Sequence, residues 1–198
     1  MSTRLNWPRT EFVLSVARLS QFPRSGMPSV AVAGASNVGK SSLLNALFGR
    51  RGLARSSKRP GCTRLLNLFA VDERLLMVDL PGYGFARAAR REQAGWGRLI
   101  EGYLTAEQRP DRVLLLLDIR HGPKPHDLQW IAWLNAAAIR WIPVATKADK
   151  LSGNRRAVRL REMCAALGGM LQPLPVSALK GDGIEMLRGV IEQEVGIE

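Results

Sequence analysis

Gly34-Ala35-Ser36-Asn37-Val38-Gly39-Lys40-Ser41-Ser42 fits G-x-x-x-x-G-K-[ST], the spacing of a loop that wraps phosphate. The residues on either side fit as well. Ser29-Val30-Ala31-Val32-Ala33 is a run of small apolar residues suited to a buried strand. Leu43, Leu44, Ala46, Leu47 and Phe48 recur at helical spacing and stop at Gly49. A strand feeding a helix through a glycine loop presents unpaired N–H groups and the positive end of the helix dipole to an anion. Gly34 and Gly39 allow close backbone approach to phosphate oxygens. Lys40 reaches the β- and γ-phosphates, and the Ser41 hydroxyl is a ligand for Mg²⁺.

Outward from this loop the chain alternates strand and helix. The segment from Arg50 to Arg64 carries six basic residues (Arg50, Arg51, Arg55, Lys58, Arg59 and Arg64) and no acidic one, and Pro60-Gly61 marks it as loop. Leu65 to Val71 and Arg74 to Leu80 read as strands joined by the Asp72-Glu73 turn, an antiparallel hairpin. Helical periodicity resumes near Arg90, with Trp96, Leu99, Ile100, Tyr103 and Leu104 on one side. Arg112 to Ile119 is a strand apolar on both faces, and Leu128, Ile131, Trp133 and Leu134 mark a helix. Trp141 to Ala145 is a further strand, Arg155 to Leu167 a helix with a basic face, and Leu171 to Val176 a strand broken by prolines and so at a sheet edge. Gly183 to Val195 closes the chain as a helix. This order predicts a six-stranded, mainly parallel sheet with one antiparallel strand, covered by helices on both faces in three layers. Residues 28–198 are expected to form this domain. Residues 1–27, with Phe12, Val13, Ser15, Val16 and Leu19 in one short amphipathic helix or turn, are expected to be an N-terminal extension packed on it. A ligand belongs at the carboxyl ends of the strands.

Four more signals fall at those ends. Asp79-Leu80-Pro81-Gly82 puts a carboxylate where it holds Mg²⁺ through water and a Gly82 N–H where it meets a γ-phosphate. In Thr146-Lys147-Ala148-Asp149, the Asp149 carboxylate accepts both N1–H and N2–H₂ of guanine, a donor pair adenine lacks, and Lys147 packs along the base and the loop. Ser177-Ala178-Leu179-Lys180 brings backbone to the guanine O6. Thr63 offers a hydroxyl to complete the Mg²⁺ shell. Alone, most of these are weak patterns; in this order, each after its proper element, they specify a guanine nucleotide. The expected contacts are Gly34 to Ser42, Gly61, Cys62, Thr63, Asp79 to Gly82, Thr146 to Asp149, and Ser177, Ala178 and Leu179. Lys40, Thr63 and Gly82 carry the catalytic roles, and Ser41, Thr63 and Asp79 hold the metal.

The chain of 198 residues has 29 Lys and Arg against 17 Asp and Glu, a net charge of +12. Such an excess favours a polyanionic partner, nucleic acid or an anionic membrane surface. No apolar stretch approaches a membrane span, and the N-terminus lacks the apolar core of a signal peptide, so the expected location is cytoplasmic, without stable membrane insertion. Cys62 and Cys164 make neither a disulfide framework nor a metal site, and Cys164 reads as core.

The sequence resembles the EngB family of bacterial ribosome-biogenesis GTPases, a branch of the translation-factor-related, Ras-like P-loop GTPases. The likeness runs from about Glu11 to Leu187. It rests on Ser36 to Leu47, on Leu53-Ala54-Arg55-Ser56-Ser57-Lys58-Arg59-Pro60-Gly61-Cys62-Thr63, on Asp79-Leu80-Pro81-Gly82-Tyr83-Gly84-Phe85-Ala86 and on Trp96 to Ile100. Asp118-Ile119-Arg120-His121-Gly122 through Asp127, with Trp133-Leu134, also match. The resemblance implies a P-loop GTPase fold and a GTP/GDP switch using Mg²⁺. It makes Arg50 to Arg64 switch I with Thr63 as its Mg²⁺-sensing threonine, and Gly82 the start of switch II. It further implies assembly of the large ribosomal subunit, with its precursor and rRNA as partners, a link to cell division and septation, and a monomeric chain. Two departures stand out: Ala35 where many relatives have Arg, and Cys62 where a basic residue is common. Tyr83 stands where Ras-like GTPases carry the glutamine that orients the attacking water, which predicts slow intrinsic hydrolysis. Asn37 resembles the asparagine that supports K⁺ in related GTPases; an asparagine merely suited to a turn is the equal alternative. A nucleotide-gated membrane or cell-division factor not acting on the ribosome is the alternative to the ribosomal role.

Overall fold

A computed structural model describes residues 4–54, 65–83 and 90–197. Seven strands form one sheet: β1 (Thr10–Val16), β2 (Ser29–Gly34), β3 (Leu66–Val71), β4 (Leu75–Asp79), β5 (Arg112–Asp118), β6 (Trp141–Thr146) and β7 (Leu174–Pro175), in the spatial order β1-β3-β4-β2-β5-β6-β7. Five helices follow in chain order: α1 (Lys40–Phe48), α2 (Arg90–Thr105), α3 (Pro125–Ala136), α4 (Gly153–Ala166) and α5 (Ile184–Glu194). β2 pairs in parallel with β4 and β5, and β5, β6 and β7 pair in parallel in turn. β3 is antiparallel to both β4 and β1. Since β1 reverses the direction of a reversed strand, β3 alone runs against the rest.

The expected sheet had six strands; the seventh is β1. The helix or turn anticipated between Phe12 and Leu19 is instead a strand followed by a single 3₁₀ turn over Leu19–Gln21. Aromatic and β-branched residues such as Thr10, Phe12, Val13 and Val16 suit a half-exposed pleated surface. The edge of β3 satisfies the strand's backbone from Thr10↔Val71 to Val16↔Leu66, with an irregularity between Phe12 and Leu14. That irregularity breaks strict alternation, which blurs the period-two signal.

Alternate residues on β2 enter opposite sides of the sheet. Ala31 and Ala33 join Ile100, Tyr103 and Leu104 of α2, Ile131 and Leu134 of α3 and Met163 of α4. Val30 and Val32 join Leu43, Leu44, Leu47 and Phe48 of α1 and Ile184, Leu187 and Ile191 of α5. This makes three layers. Shortening one enclosed leucine here to alanine would cost about 2–5 kcal/mol. The proline-broken last strand lies at the sheet edge as expected, but only Leu174–Pro175 of the anticipated Leu171 to Val176 is strand. Cys164 is only half-buried, so it is not the enclosed core residue anticipated. Among the described residues no helix is long and apolar enough to cross a membrane.

The first residues are tied to α5 and α1. Trp7 is buried and its indole N–H donates to Glu192 Oε1 at 2.8 Å. The Arg188 guanidinium lies over the Trp7 ring and donates from Nε to the Leu47 carbonyl at 2.9 Å, at the end of α1. A buried carboxylate and a cation are thus both satisfied, and α1 is held against α5 beneath the loop that precedes it.

Candidate nucleotide-binding site

The carboxyl ends of β2, β4, β5 and β6 and the loop after β7 share one rim of the sheet. Gly34 ends β2 buried: a Cβ there would lie 2.8 Å from Val38 Cγ1 and 3.0 Å from Leu116 Cβ. The loop therefore folds down onto its own strand only because residue 34 has no side chain. Asn37, at φ 63°, and Gly39, at φ 107°, take left-handed conformations that turn the chain into α1. Lys40 is the first residue of that helix, Ser41 and Ser42 follow in its first turn, and Gly39 accepts from Leu43 N at 2.9 Å.

Lys40 Nζ donates to Asp79 Oδ1 at 2.6 Å across the ends of β2 and β4. The side chains are only 11% and 4% exposed, so the pair lies out of bulk water. Burial pushes the Asp79 carboxyl above its ordinary value, and Lys40 and then Asn67 oppose that rise. Asn67 stands opposite Asp79 on β3 and accepts from the Ser15 hydroxyl of β1 at 2.7 Å. Leu80 N–H continues the ladder to Val32 O at 3.0 Å, and Ala35 and Tyr83 form one more parallel bridge. Gly82 is pressed on the loop: a Cβ at that position would be 3.3 Å from Ser36 Cα.

At the other end, Lys147 adopts φ 60°. Its Nζ donates to Asn37 O at 2.7 Å and to Asp118 Oδ2 at 2.8 Å. Thr146, buried at the end of β6, donates its hydroxyl to Val38 O at 2.7 Å. Phosphate loop and TKxD segment are therefore stitched together directly. Ala148 N–H donates to Val176 O at 3.0 Å, and the fully buried Ser177 donates its hydroxyl to Asp149 Oδ1 at 2.7 Å. The Ser177 hydroxyl holds the Asp149 carboxyl below its ordinary range, burial opposing and Lys150 adding to the effect. An ionised carboxylate retains acceptor sites beyond that one bond, so Asp149 can still receive two donors from a base edge. Ala178 is half-buried and Leu179 exposed beside it.

The loop from Gly34 to Ser42, Asp79 to Gly82, Thr146 to Asp149 and Ser177 to Leu179 thus come together. Gly61, Cys62 and Thr63 lie outside the described residues, as do Arg55, Lys58, Arg59 and Arg64. The sequence reading gave no role to Asp118, which accepts from Lys147 and, through both carboxylate oxygens, from Arg120 at 2.9 and 2.7 Å. Burial works against its charge, but Arg120 and Lys147 outweigh it and hold the carboxyl well below the ordinary range. The available signal was a carboxylate closing an apolar strand, at the same level as Asp79. Tyr83 was read only as the wrong residue to orient water. Its ring in fact turns inward, 5% exposed, and burial, then Asp127, pushes its hydroxyl pKa up.

The residues suit a hard cation held mostly by ligand oxygens. Among the described residues no group of three or more His, Cys, Asp or Glu could cage a metal. One buried, charge-compensated carboxylate at a strand end and a hydroxyl in the first turn of α1 fit Mg²⁺ bound chiefly through phosphates and water.

A family model described as 50S ribosome-binding GTPase matches residues 29–147. A probable GTP-binding protein EngB of Pelotomaculum thermopropionicum is 44% identical over 189 residues, covering 94% of this chain and 96% of its own. The corresponding protein of Alkaliphilus metalliredigens is 40% identical over 185 residues, covering 92% and 89%. A crystal structure of a probable GTP-binding protein engB superposes with a TM-score of 0.66 at 26% identity, over 86% of this chain and all of that one.

Proposed function

The chain belongs to the EngB family of GTP-binding P-loop GTPases, and on that footing we propose that it is a slow GTPase whose nucleotide state governs attachment to the precursor of the large ribosomal subunit. One observation carries the nucleotide half of this reading: Lys147 links Asp118 to the Asn37 carbonyl, so that the phosphate loop and the guanine-selecting Asp149 form one continuous cradle. In that cradle the N–H groups of Gly34 to Ser42 and the Lys40 ammonium hold the phosphates. Gly82 donates to the γ-phosphate, and Asp149 accepts from guanine while Ser177, Ala178 and Leu179 approach its O6. Gly61, Cys62 and Thr63 of switch I are the further nucleotide contacts. Ser41, Thr63 and Asp79 hold Mg²⁺, directly or through water. When bound, the ion neutralises charge on the β- and γ-phosphates. Residues 28–198 act as the GTP-binding domain and residues 1–27 as an extension packed on it.

Two residues bear on the rate. The ring of Tyr83 is buried against α3 and cannot orient water as a glutamine does, which supports slow turnover without a partner. Asn37 has an exposed side chain on the loop, where an amide oxygen can help hold K⁺ next to the phosphates. Its left-handed backbone also suits the plain turn role. Purified protein with GTP and Mg²⁺ alone is expected to turn over slowly, faster in KCl than in NaCl, and not at all as Lys40→Ala. Rapid unaided turnover would overturn the first expectation, and equal rates in the two salts the second.

The ribosomal half rests on the family and on charge. Arg50 and Arg51 open the basic switch I segment, and α4 carries Arg155, Arg156, Arg159 and Arg161 against Glu162, which pairs with Arg159 at 2.8 Å. The switch I charges lie in a segment that responds to the γ-phosphate and so couple nucleotide state to a polyanion, and the α4 arginines add a further basic face. Family resemblance adds a link to normal cell division and septation, and a cytoplasmic location. Sedimentation with large-subunit particles should show salt-sensitive binding with a GTP analogue and release with GDP. Binding to anionic vesicles instead would favour the membrane or division factor, and equal affinity in both nucleotide states would remove the switch.

A further inference from the structure

Tyr83 sits one residue after Gly82, the glycine assigned above to the γ-phosphate, yet its side chain packs against α3. The ring stacks on Trp130 of α3 with centroids 5.2 Å apart and planes at 17°. It meets His126 edge-on at 5.6 Å. The hydroxyl donates to Asp127 Oδ1 at 2.9 Å, and Asp127 is itself buried at 4% exposure. The second Asp127 oxygen accepts from Lys124 N at 2.8 Å, at the start of α3. A carboxylate with both oxygens engaged at a helix N-terminus is a fixed point, not a mobile acceptor.

The backbone of the same residue is held from the opposite side. Tyr83 N–H donates to Gly34 O at 3.3 Å, and Tyr83 O accepts from Ser36 N at 3.0 Å and from Ser36 Oγ at 3.2 Å. Gly82 lies between this anchor and Pro81, whose ring restricts the preceding backbone. A Cβ at Gly82 would lie only 3.3 Å from Ser36 Cα, so a side chain there would push on the phosphate loop. The position of the Gly82 N–H is therefore set by a clamp whose far end is Asp127 and Trp130.

We propose that Tyr83 is a positioning residue for recognition of the third phosphate: anchored on Asp127 and Trp130, it holds the Gly82 N–H against the phosphate loop and ties that contact to α3. It takes no part in the chemistry itself. The proposal rests on the reading of the site as a GTP site. It connects α3 to the γ-phosphate through one hydrogen-bonded and stacked side chain. GDP and GTP use the phosphate loop and Asp149 alike; only GTP uses Gly82. Loosening the clamp must then weaken GTP selectively, whereas mere loss of core packing weakens both or only lowers Tm.

The test is the affinity of full-length protein for Mg²⁺-GDP and for a Mg²⁺-bound non-hydrolysable GTP analogue, by calorimetry. Y83F removes the hydroxyl and keeps the stacked ring. It is expected to weaken the analogue about tenfold, the worth of one charge-assisted hydrogen bond, and to leave GDP unchanged. D127A removes the acceptor, and with it the Lys124 N–H bond at the start of α3. It should show the same selective loss of the analogue, with no further change in the analogue-to-GDP ratio in the double variant, because the Tyr83–Asp127 bond can be lost only once. If D127A loses too much Tm to be measured, Y83F alone decides. Y83Q should not gain hydrolysis, since the clamp is lost with the ring. An analogue-to-GDP ratio unchanged in Y83F, or a parallel loss of both nucleotides, overturns the proposal. Failure of the wild-type protein to bind either nucleotide overturns the GTP reading instead, before any variant is considered.

Discussion

The two ends of the cleft are built on different principles. At the phosphate end, Lys40 and Asp79 neutralise one another at 2.6 Å in a buried pair. At the guanine end each polar group has a partner in the scaffold: Asp149 with Ser177, Lys147 with Asp118 and Asn37 O, and Thr146 with Val38 O. This end is preorganised, so on the proposed reading a guanine would meet acceptors already fixed, at little ordering cost. The phosphate end suits a ligand that carries both signs of charge. On the proposed reading, phosphate would be held by Lys40 and a hydrated cation by Asp79, so that each charge of the buried pair would gain a partner in the ligand. Selectivity should therefore reside at the guanine end, and dependence on metal at the phosphate end.

Breaking the guanine end should have the largest effect. Asp149→Asn replaces an acceptor pair with one acceptor and one donor, so the amide opposes one guanine donor. GDP affinity should fall by about two orders of magnitude. Xanthosine diphosphate, which offers an acceptor where guanine offers N2–H₂, should recover most of it. Calorimetry with the two nucleotides checks this. Equal loss for both would mean that Asp149 stabilises the loop and does not read the base.

The phosphate end is tested by removing the metal. Drawing Lys40 toward a phosphate without a cation leaves the Asp79 carboxylate buried and uncompensated. Chelation should therefore cost wild-type protein about tenfold in GTP affinity and cost Asp79→Asn much less, so that the variant binds better than wild type in chelator and worse in Mg²⁺. Parallel curves for the two proteins would dissociate Asp79 from the ion.

The contrast also explains what was legible in the sequence. Gly34 to Ser42, Asp79 to Gly82 and Thr146 to Asp149 each stand at a strand's carboxyl end, and a parallel α/β order brings such ends together whatever the loops do. The alternation of buried strands and helices implies the layers, and the tight Asp72-Glu73 turn implies the reversed β3, both from local sequence. β1 was missed because its ladder partner β3 lies some fifty residues away and its irregularity at Val13 disrupts the alternation. The Tyr83–Asp127 bond joins residues 44 apart in sequence. No periodicity announces such a contact, and only packing of α3 on the sheet creates it. Asp118 is an intermediate case: a carboxylate ending an apolar strand was visible, but its choice of Lys147 over solvent required the φ 60° turn that aims the lysine back along the loop.

Asp118 supplies the smallest and sharpest test, because it supports the guanine end without facing the base. Asp118→Asn should loosen Lys147 and lower GDP affinity only about fivefold. The charges facing it are Arg120 and Lys147, with Asp149 on the far side of Arg120. They hold its folded-state pKa below the ordinary 3.8. A carboxyl whose folded pKa is depressed adds stability that is fully present above its unfolded pKa and is lost as pH falls through the folded one. The Tm difference between wild type and Asp118→Asn should therefore be constant from neutral pH to near pH 5, about one unit above that unfolded value. Below pH 3.8 it should shrink. Other carboxyls titrate in the same range, but they titrate in both proteins and cancel in the difference. A gap that instead narrows already between pH 7 and 5 would show that the variant acts through a group other than this carboxylate, and the guanine end would then owe less of its rigidity to the Lys147 anchor than its geometry implies.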